Sequence, residues 1–123
     1  MRIYAIKGFE RFCRKERISD KALIEAIDRA MRGLIDADLG GRLIKQRIAR
    51  LGQGKRSGYR TIIAFQAGQR AVFLFGFAKN AKDNIAPDNL VHWRLIGADL
   101  LAAGIDAIDA AIIDGELTEL HDD

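Results

Sequence analysis

Between Asp38 and Asp83 no acidic residue interrupts a stretch that carries Arg42, Lys45, Arg47, Arg50, Lys55, Arg56, Arg60, Arg70, Lys79 and Lys82. Chemistry in that stretch has to use Lys, Arg, Tyr and backbone groups. A guanidinium can give two parallel hydrogen bonds to a pentavalent phosphorane, and a Lys crowded by other cations is pushed toward the free base. One-signed density of this kind points to a polyanionic partner, and the same residue types hold RNA or DNA phosphates without doing chemistry. Both histidines, His92 and His121, lie outside the cationic stretch, so a nuclease built on paired histidines is not expected. Metal-assisted phosphodiester cleavage needs converging carboxylates, and residues 39–82 contain none. Asp36 and Asp38 read as an ordinary helix-end signal. Cys13 sits on an apolar helical stripe and reads as a core residue. The run GQGKRSG precedes a strand instead of a helix and lacks the spacing of a phosphate loop.

These side chains must be positioned by regular elements, and the pattern supplies them. Arg2 to Lys7 alternates as a short strand buried on both faces. Phe9, Phe12 and Cys13 keep helical spacing, and Ser19-Asp20 offers an N-cap for a second helix. Its apolar positions are Leu23, Ile24, Ile27, Ala30, Met31, Leu34 and Ile35, and the two helices form a hairpin. Leu39-Gly40-Gly41 breaks that helix. Leu43 to Arg50 then alternates so that Lys45 and Arg47 share a face with Leu43 while Ile44 and Ile48 share the other. A Gly-rich basic loop leads to a strand over Tyr59 to Phe65, Gly68 marks a turn, and Ala71 to Phe77 is apolar on both faces, as a central strand would be. Adjacent residues of a strand point to opposite faces, so Tyr59 and Arg60 part company there; the pattern leaves open which of them meets the cationic groove. Pro87 can start a helix with Leu90, Trp93, Ile96, Leu100 and Leu101 on its apolar face, His92 packing beside Trp93. Ile105 to Ile113 is also helical, and Glu116 to Leu120 is either a short strand or a frayed end. The fold class is α+β: an N-terminal strand, a helical hairpin, a three-stranded antiparallel meander forming a small twisted sheet, and C-terminal helices, with the helices on one face of the sheet.

Composition bounds the rest. The 123 residues fit one domain, and 49% hydrophobic beside 30% charged residues excludes a disordered or collagenous chain. A single Cys permits no internal disulfide and no redox pair. No run approaches the roughly 20 apolar residues of a membrane span, and the opening MRIYAIKGFERF is too broken by charge for a signal peptide, so a cytoplasmic protein with no membrane partner is expected. The net charge of +3 divides into +12 over residues 1–82 and −9 over residues 83–123. The acidic end can fold back on the basic body, or a separate polyanion can meet it.

The run Leu39-Gly-Gly-Arg-Leu-Ile-Lys-Gln-Arg-Ile-Ala-Arg, the element Ser57-Gly-Tyr-Arg-Thr, and Ala71-Val-Phe-Leu-Phe-Gly-Phe-Ala-Lys-Asn with Asp83-Asn-Ile together resemble the RelE/HigB branch of the RelE/ParE toxin superfamily. The resemblance covers about residues 3–85. It implies a RelE-like toxin core over residues 1–85, with residues 86–123 as an acidic helical extension packed on the same domain. It also implies the toxin of a type II toxin-antitoxin pair, with metal-independent cleavage of mRNA in the ribosomal A site by attack of the 2′-hydroxyl, and no cofactor. The partners implied are a cognate antitoxin, the ribosome and mRNA. Carried over by position, the catalytic set is Arg60, Lys45, Arg47 and Lys79, and the RNA-binding set is Lys55, Arg56, Tyr59, Lys82 and Arg50. Two departures stand out: Lys79 and Lys82 fall where the family places an Arg, and Ile85 falls near its base-stacking Tyr. Two other readings use the same fold, a ParE-like inhibitor that binds gyrase and a relic that only binds nucleic acid or antitoxin.

Overall fold

The computed structural model describes residues 1–49, 58–78 and 87–121. In chain order the elements are β1 (Arg2–Ile6), α1 (Lys7–Glu16), α2 (Asp20–Met31), β2 (Ala37–Gly40), β3 (Leu43–Ile48), β4 (Tyr59–Gln66), β5 (Arg70–Ala78), α3 (Pro87–Ala102), α4 (Ile105–Ile113) and β6 (Leu117–Leu120). The strands form one sheet in the order β2-β3-β4-β5-β1-β6. All neighbours are antiparallel except β1 and β5, which run parallel. This is the expected α+β class, with the β3-β4-β5 meander at its centre.

Local chemistry explains the element ends. Ser19 caps α2, its Oγ accepting from the Ala22 amide at 3.2 Å. Leu23, Ile24, Ile27 and Ala30 are the buried stripe of that helix. The helix stops at Met31, two residues before Gly33 with φ +83°, so Leu34 and Ile35 fall outside it and are exposed, contrary to the periodic reading. The same stop frees Ala37 to Gly40 to become β2, a strand that the two acids and the glycine pair had hidden. Gly41 and Arg42 then turn the chain into β3, both at positive φ (61° and 64°), the geometry of a two-residue hairpin loop.

Both faces of the sheet are covered, which corrects the expectation of helices on one face. Ala5, Ile44, Ile63 and Phe73 pack with Phe9 of α1 and Leu23 and Ile27 of α2. Tyr4, Leu43, Ile62, Val72 and Leu74 pack on the opposite face with Leu90, Trp93 and Leu100 of α3 and Ile108 of α4. A bulge opposite Ile62 and Ile63 turns Leu74 and Phe75 of β5 to the same side, toward α3. Helix α3 crosses β4 so closely that a Cβ on Gly97 would stand 3.0 Å from the Ala64 Cβ. It has no basic residue in its last turn, and Arg70 of β5 supplies one by donating to the Leu100 and Ala103 carbonyls at 2.7 and 2.8 Å. Residues 117–120 are paired with β1 as β6, which resolves the alternative of a frayed end. Among the described residues no helix is long and apolar enough to cross a membrane.

Candidate functional site

Alternation along β3 sends Leu43, Lys45 and Arg47 to the α3 side, and along β4 it sends Arg60, Ile62 and Ala64 to the same side. The register then sets two rows across the sheet. Lys45 faces Ile62, which faces Phe75; Arg47 faces Arg60, which faces Phe77. Directly opposed strand residues have Cβ atoms about 5 Å apart, so Lys45, Arg47 and Arg60 form one cationic corner flanked by aromatic rings. Trp93 of α3 stacks on Phe75 with centroids 5.6 Å apart, and exposed His92 meets Trp93 edge-on at 4.8 Å. No carboxylate or imidazole of β3, β4 or β5 joins this corner.

Exposure grades across the corner. Arg47 is exposed, Lys45 is half-buried, and Arg60 is only 8% exposed. Burial, and then the neighbouring Arg47 charge, pull the Arg60 guanidinium below its ordinary value, while Asp36 opposes that pull. The corner thus sets a buried guanidinium beside an exposed one. Arg60 Nη1 also lies 3.5 Å from the Tyr59 carbonyl.

Tyr59 itself points the other way. Its ring is 3% exposed on the α1 face, edge-on to Phe12 at 5.7 Å, with the hydroxyl 3.5 Å from the Glu16 carbonyl. The face assignment left open by the pattern is thereby decided: Arg60 belongs with Lys45 and Arg47, and Tyr59 does not. Arg50, Lys55, Arg56, Lys79, Lys82 and Ile85 lie outside the described residues. Two other arginines, one in the basic stretch and one beyond it, have internal tasks. Arg70 caps α3, and in α3 itself Arg94 donates from Nε to the Leu39 carbonyl at 3.1 Å.

Behind the corner, on the α2 face, sits a polar cluster that the sequence reading missed. Gln46 is fully buried; its Nε2 donates to the Ala26 and Leu34 carbonyls (3.0 and 3.2 Å), and its Oε1 accepts from the Asp36 amide at 2.8 Å. Asp36 Oδ2 in turn accepts the Arg47 amide at 2.7 Å, while buried Arg29 donates to the Arg47 carbonyl and to Glu25 and lies 3.7 Å from Asp36. The main chain of Arg47 is therefore held on both its N–H and its C=O by charged side chains. The signal was present: a Gln between Ile44 and Ile48 on the apolar side of a strand has to be bonded to something.

Among the described residues no three His, Cys, Asp or Glu side chains are grouped to hold a metal. Cys13 is buried on the α1 face, and its thiol is pushed up to about 12 by burial first and then by Asp20 and Glu10, so it is no nucleophile at neutral pH.

A family model described as RelE toxin of the RelE / RelB toxin-antitoxin system matches residues 1–120, which takes in α3, α4 and β6 as well as the meander. No curated protein matches the chain.

Proposed function

The chain belongs to the RelE toxin family, whose members are toxins of toxin-antitoxin pairs and in general endoribonucleases that inhibit translation, and from that premise we propose a metal-independent, ribosome-dependent cleavage of mRNA. The substrate's own 2′-hydroxyl attacks the adjacent phosphorus, a 2′-oxygen to phosphorus bond forms, and the bond to the 5′-oxygen breaks. The products are a 2′,3′-cyclic phosphate and a free 5′-hydroxyl. Lys45 in its uncharged form takes the 2′ proton, Arg60 stabilises the charge of the pentavalent phosphorane, Arg47 holds the scissile phosphate, and water returns a proton to the departing 5′-oxygen. Lys79 is assigned to the same work, and Arg50, Lys55, Arg56 and Lys82 to RNA binding, on the resemblance alone, whereas Tyr59, buried on the α1 face, is not available to RNA on the side of the corner. Trp93, stacked on Phe75 beside the cationic corner, is an aromatic surface for a base.

The observation that carries this reading is the register of β3 on β4, which sets Arg47 opposite Arg60 with Lys45 one row away. It favours cleavage over a purely protein-binding toxin because partly desolvated guanidinium pairs suit a phosphorane. Such a site lacks a strong general base. It therefore depends on the ribosome to align the 2′-hydroxyl in line with the leaving oxygen, and the toxin acts in the cytoplasm. An antitoxin with an acidic segment over the corner would neutralise it, with an affinity that falls as salt rises.

The test is to sequence RNA ends after brief expression in cells and to compare programmed ribosomes with naked transcript in purified form. Cuts confined to translated mRNA are expected. Rapid cleavage of the naked transcript would overturn the ribosome dependence, and loss of all cleavage on adding a chelator that leaves ribosomes intact would overturn the metal independence.

A further inference from the structure

The C-terminal layer is more apolar than its exposure suits. Helix α4 reads IDAIDAAII yet buries only Ile108 fully, leaving Ile113 85% exposed, and α3 turns Val91 and Leu95 outward at 54% and 66%. Large apolar side chains left this exposed mark faces that a partner can cover, although each helix also carries charge, Arg94 and Asp99 in α3 and Asp106 and Asp109 in α4. Between them, with the start of α1 at one end, runs a groove of about 730 Å³. Ile96, Leu100 and Leu117 form its floor, and Ala107 and Ala110, one helical turn apart and both exposed, leave its α4 wall shallow. The rim is acidic, with Asp99, Asp114 and Glu116, and Lys7 is the one cation among the lining residues.

That charge decides the occupant. An acidic rim repels RNA, so the groove is no extension of the cationic corner. Two copies of this chain meeting through it about a two-fold axis would set acid against acid. What fits is a helix with large apolar side chains on one face, flanked by Lys or Arg. We propose that the groove between α3 and α4 docks a cationic amphipathic helix of a partner protein, its apolar side chains entering over Ile96, Leu100 and Leu117 and its flanking cations pairing with Asp99, Asp114 and Glu116. This site is separate from the cationic corner and does not depend on whether the protein cuts RNA.

The test uses the full chain and two labelled 18-residue helical peptides, one of Leu and Lys and one of Leu and Glu, followed by fluorescence anisotropy. The Leu/Lys peptide should bind in the micromolar range and weaken about tenfold between 50 and 300 mM salt, and the Leu/Glu peptide should not bind. Ala107→Trp fills the groove from an exposed lining position and leaves every acid in place, and it should cost tenfold or more; Ala110→Leu gives the same reading should the Trp variant fail to fold. Asp99→Asn with Asp114→Asn should weaken binding and flatten its salt dependence. Unchanged affinity in the groove-filling variants would reduce the contact to attraction by an acidic surface and overturn the proposal, as would equal binding of both peptides. Sedimentation showing a dimer that Ala107→Trp splits would assign the groove to a second copy and overturn it equally.

Discussion

Removing the Asp36 carboxylate should loosen the strand that carries Arg47, and the size of the effect follows from its contacts. Asp36 accepts the Arg47 amide at 2.7 Å and lies 3.7 Å from a guanidinium that is almost wholly buried. A hydrogen bond to a charged acceptor is worth about 1.5 to 3 kcal/mol net. The ion pair is worth about 4.5 kcal/mol before desolvation at an effective dielectric of about 20, and desolvation cancels most of that. Asp36→Ala should therefore cost about 2 kcal/mol, and Asp36→Asn about half as much because an amide oxygen can still accept. Arg29→Met should also cost about 2 kcal/mol, since it removes the bond to the Arg47 carbonyl and frees Glu25. The two losses share one network, so the double variant should fall short of additivity by about 1 kcal/mol in urea unfolding. Additivity within about 0.3 kcal/mol would refute the network. A protein of ordinary stability, even at about 5 kcal/mol, stays more than about 99% folded after a 2 kcal/mol loss. Any larger fall in cleavage by Asp36→Ala on programmed ribosomes then reports displacement of Arg47 and not unfolding.

Arg60→Lys keeps the charge and loses the fork, so cleavage on programmed ribosomes should drop by roughly a hundredfold while ribosome affinity changes little; near wild-type cleavage with an unchanged melting curve would remove Arg60 from the site. Gly76→Ala would put a Cβ 2.6 Å from Phe12 Cε2 and 3.0 Å from Phe9 Cε1, and should cost about 1 to 3 kcal/mol by overpacking. Phe12→Leu in the same chain should recover part of that loss, and a cost below about 0.5 kcal/mol would contradict the packing. With its thiol at about 12 in the folded protein, Cys13 should react with iodoacetamide at pH 8 at least about a thousandfold more slowly than in the urea-unfolded chain. The same raised value means the unfolded thiol ionises first, so stability should fall as pH rises from about 9 toward 12, by up to about 1.4 kcal/mol per pH unit.

The strands and helices with strong period were legible, and so was the family. Lys45 and Arg47 were placed on Leu43's face by alternation alone, and the Ser19 cap and the 3.6-residue stripe located α2. What alternation could not deliver was the second helical layer. The run Ala71 to Phe77 is apolar on both sides, which already demands two covers, but nothing local says that α3 and α4 are the second. The reason for Gly97 in the middle of α3 is its approach to Ala64 of β4, a tertiary fact. Strand β2 was hidden because Asp36 and Asp38 imitate a helix end, and the tasks of those acids appear only when β3 lies beside them. Tyr59 and Arg60 could not be sorted because a strand covered on both faces has no wet side to betray its register. The network of Arg29, Asp36 and Gln46 joins α2, β3 and the segment before β2, and single-element periodicity is blind to that.

Strand β1 sits between β5 and β6, and its Ile6 pairs with Leu117 of β6, 111 residues further along. At the usual 5 to 20 residues per second of synthesis, the neighbour on that side follows β1 by roughly 6 to 22 seconds. Strand β5 arrives about 64 residues after β1, and until then the apolar Ile3-Tyr4-Ala5 segment has no ladder partner at all. The cation-bearing pair β3 and β4 needs only each other and can close in the meantime. The growing chain thus carries Lys45, Arg47 and Arg60 in register before the sheet that gives them a rigid footing exists. The cationic groups are assembled early and made firm late, so the interval in which the nascent protein is sticky, basic and unfinished is built into its strand order.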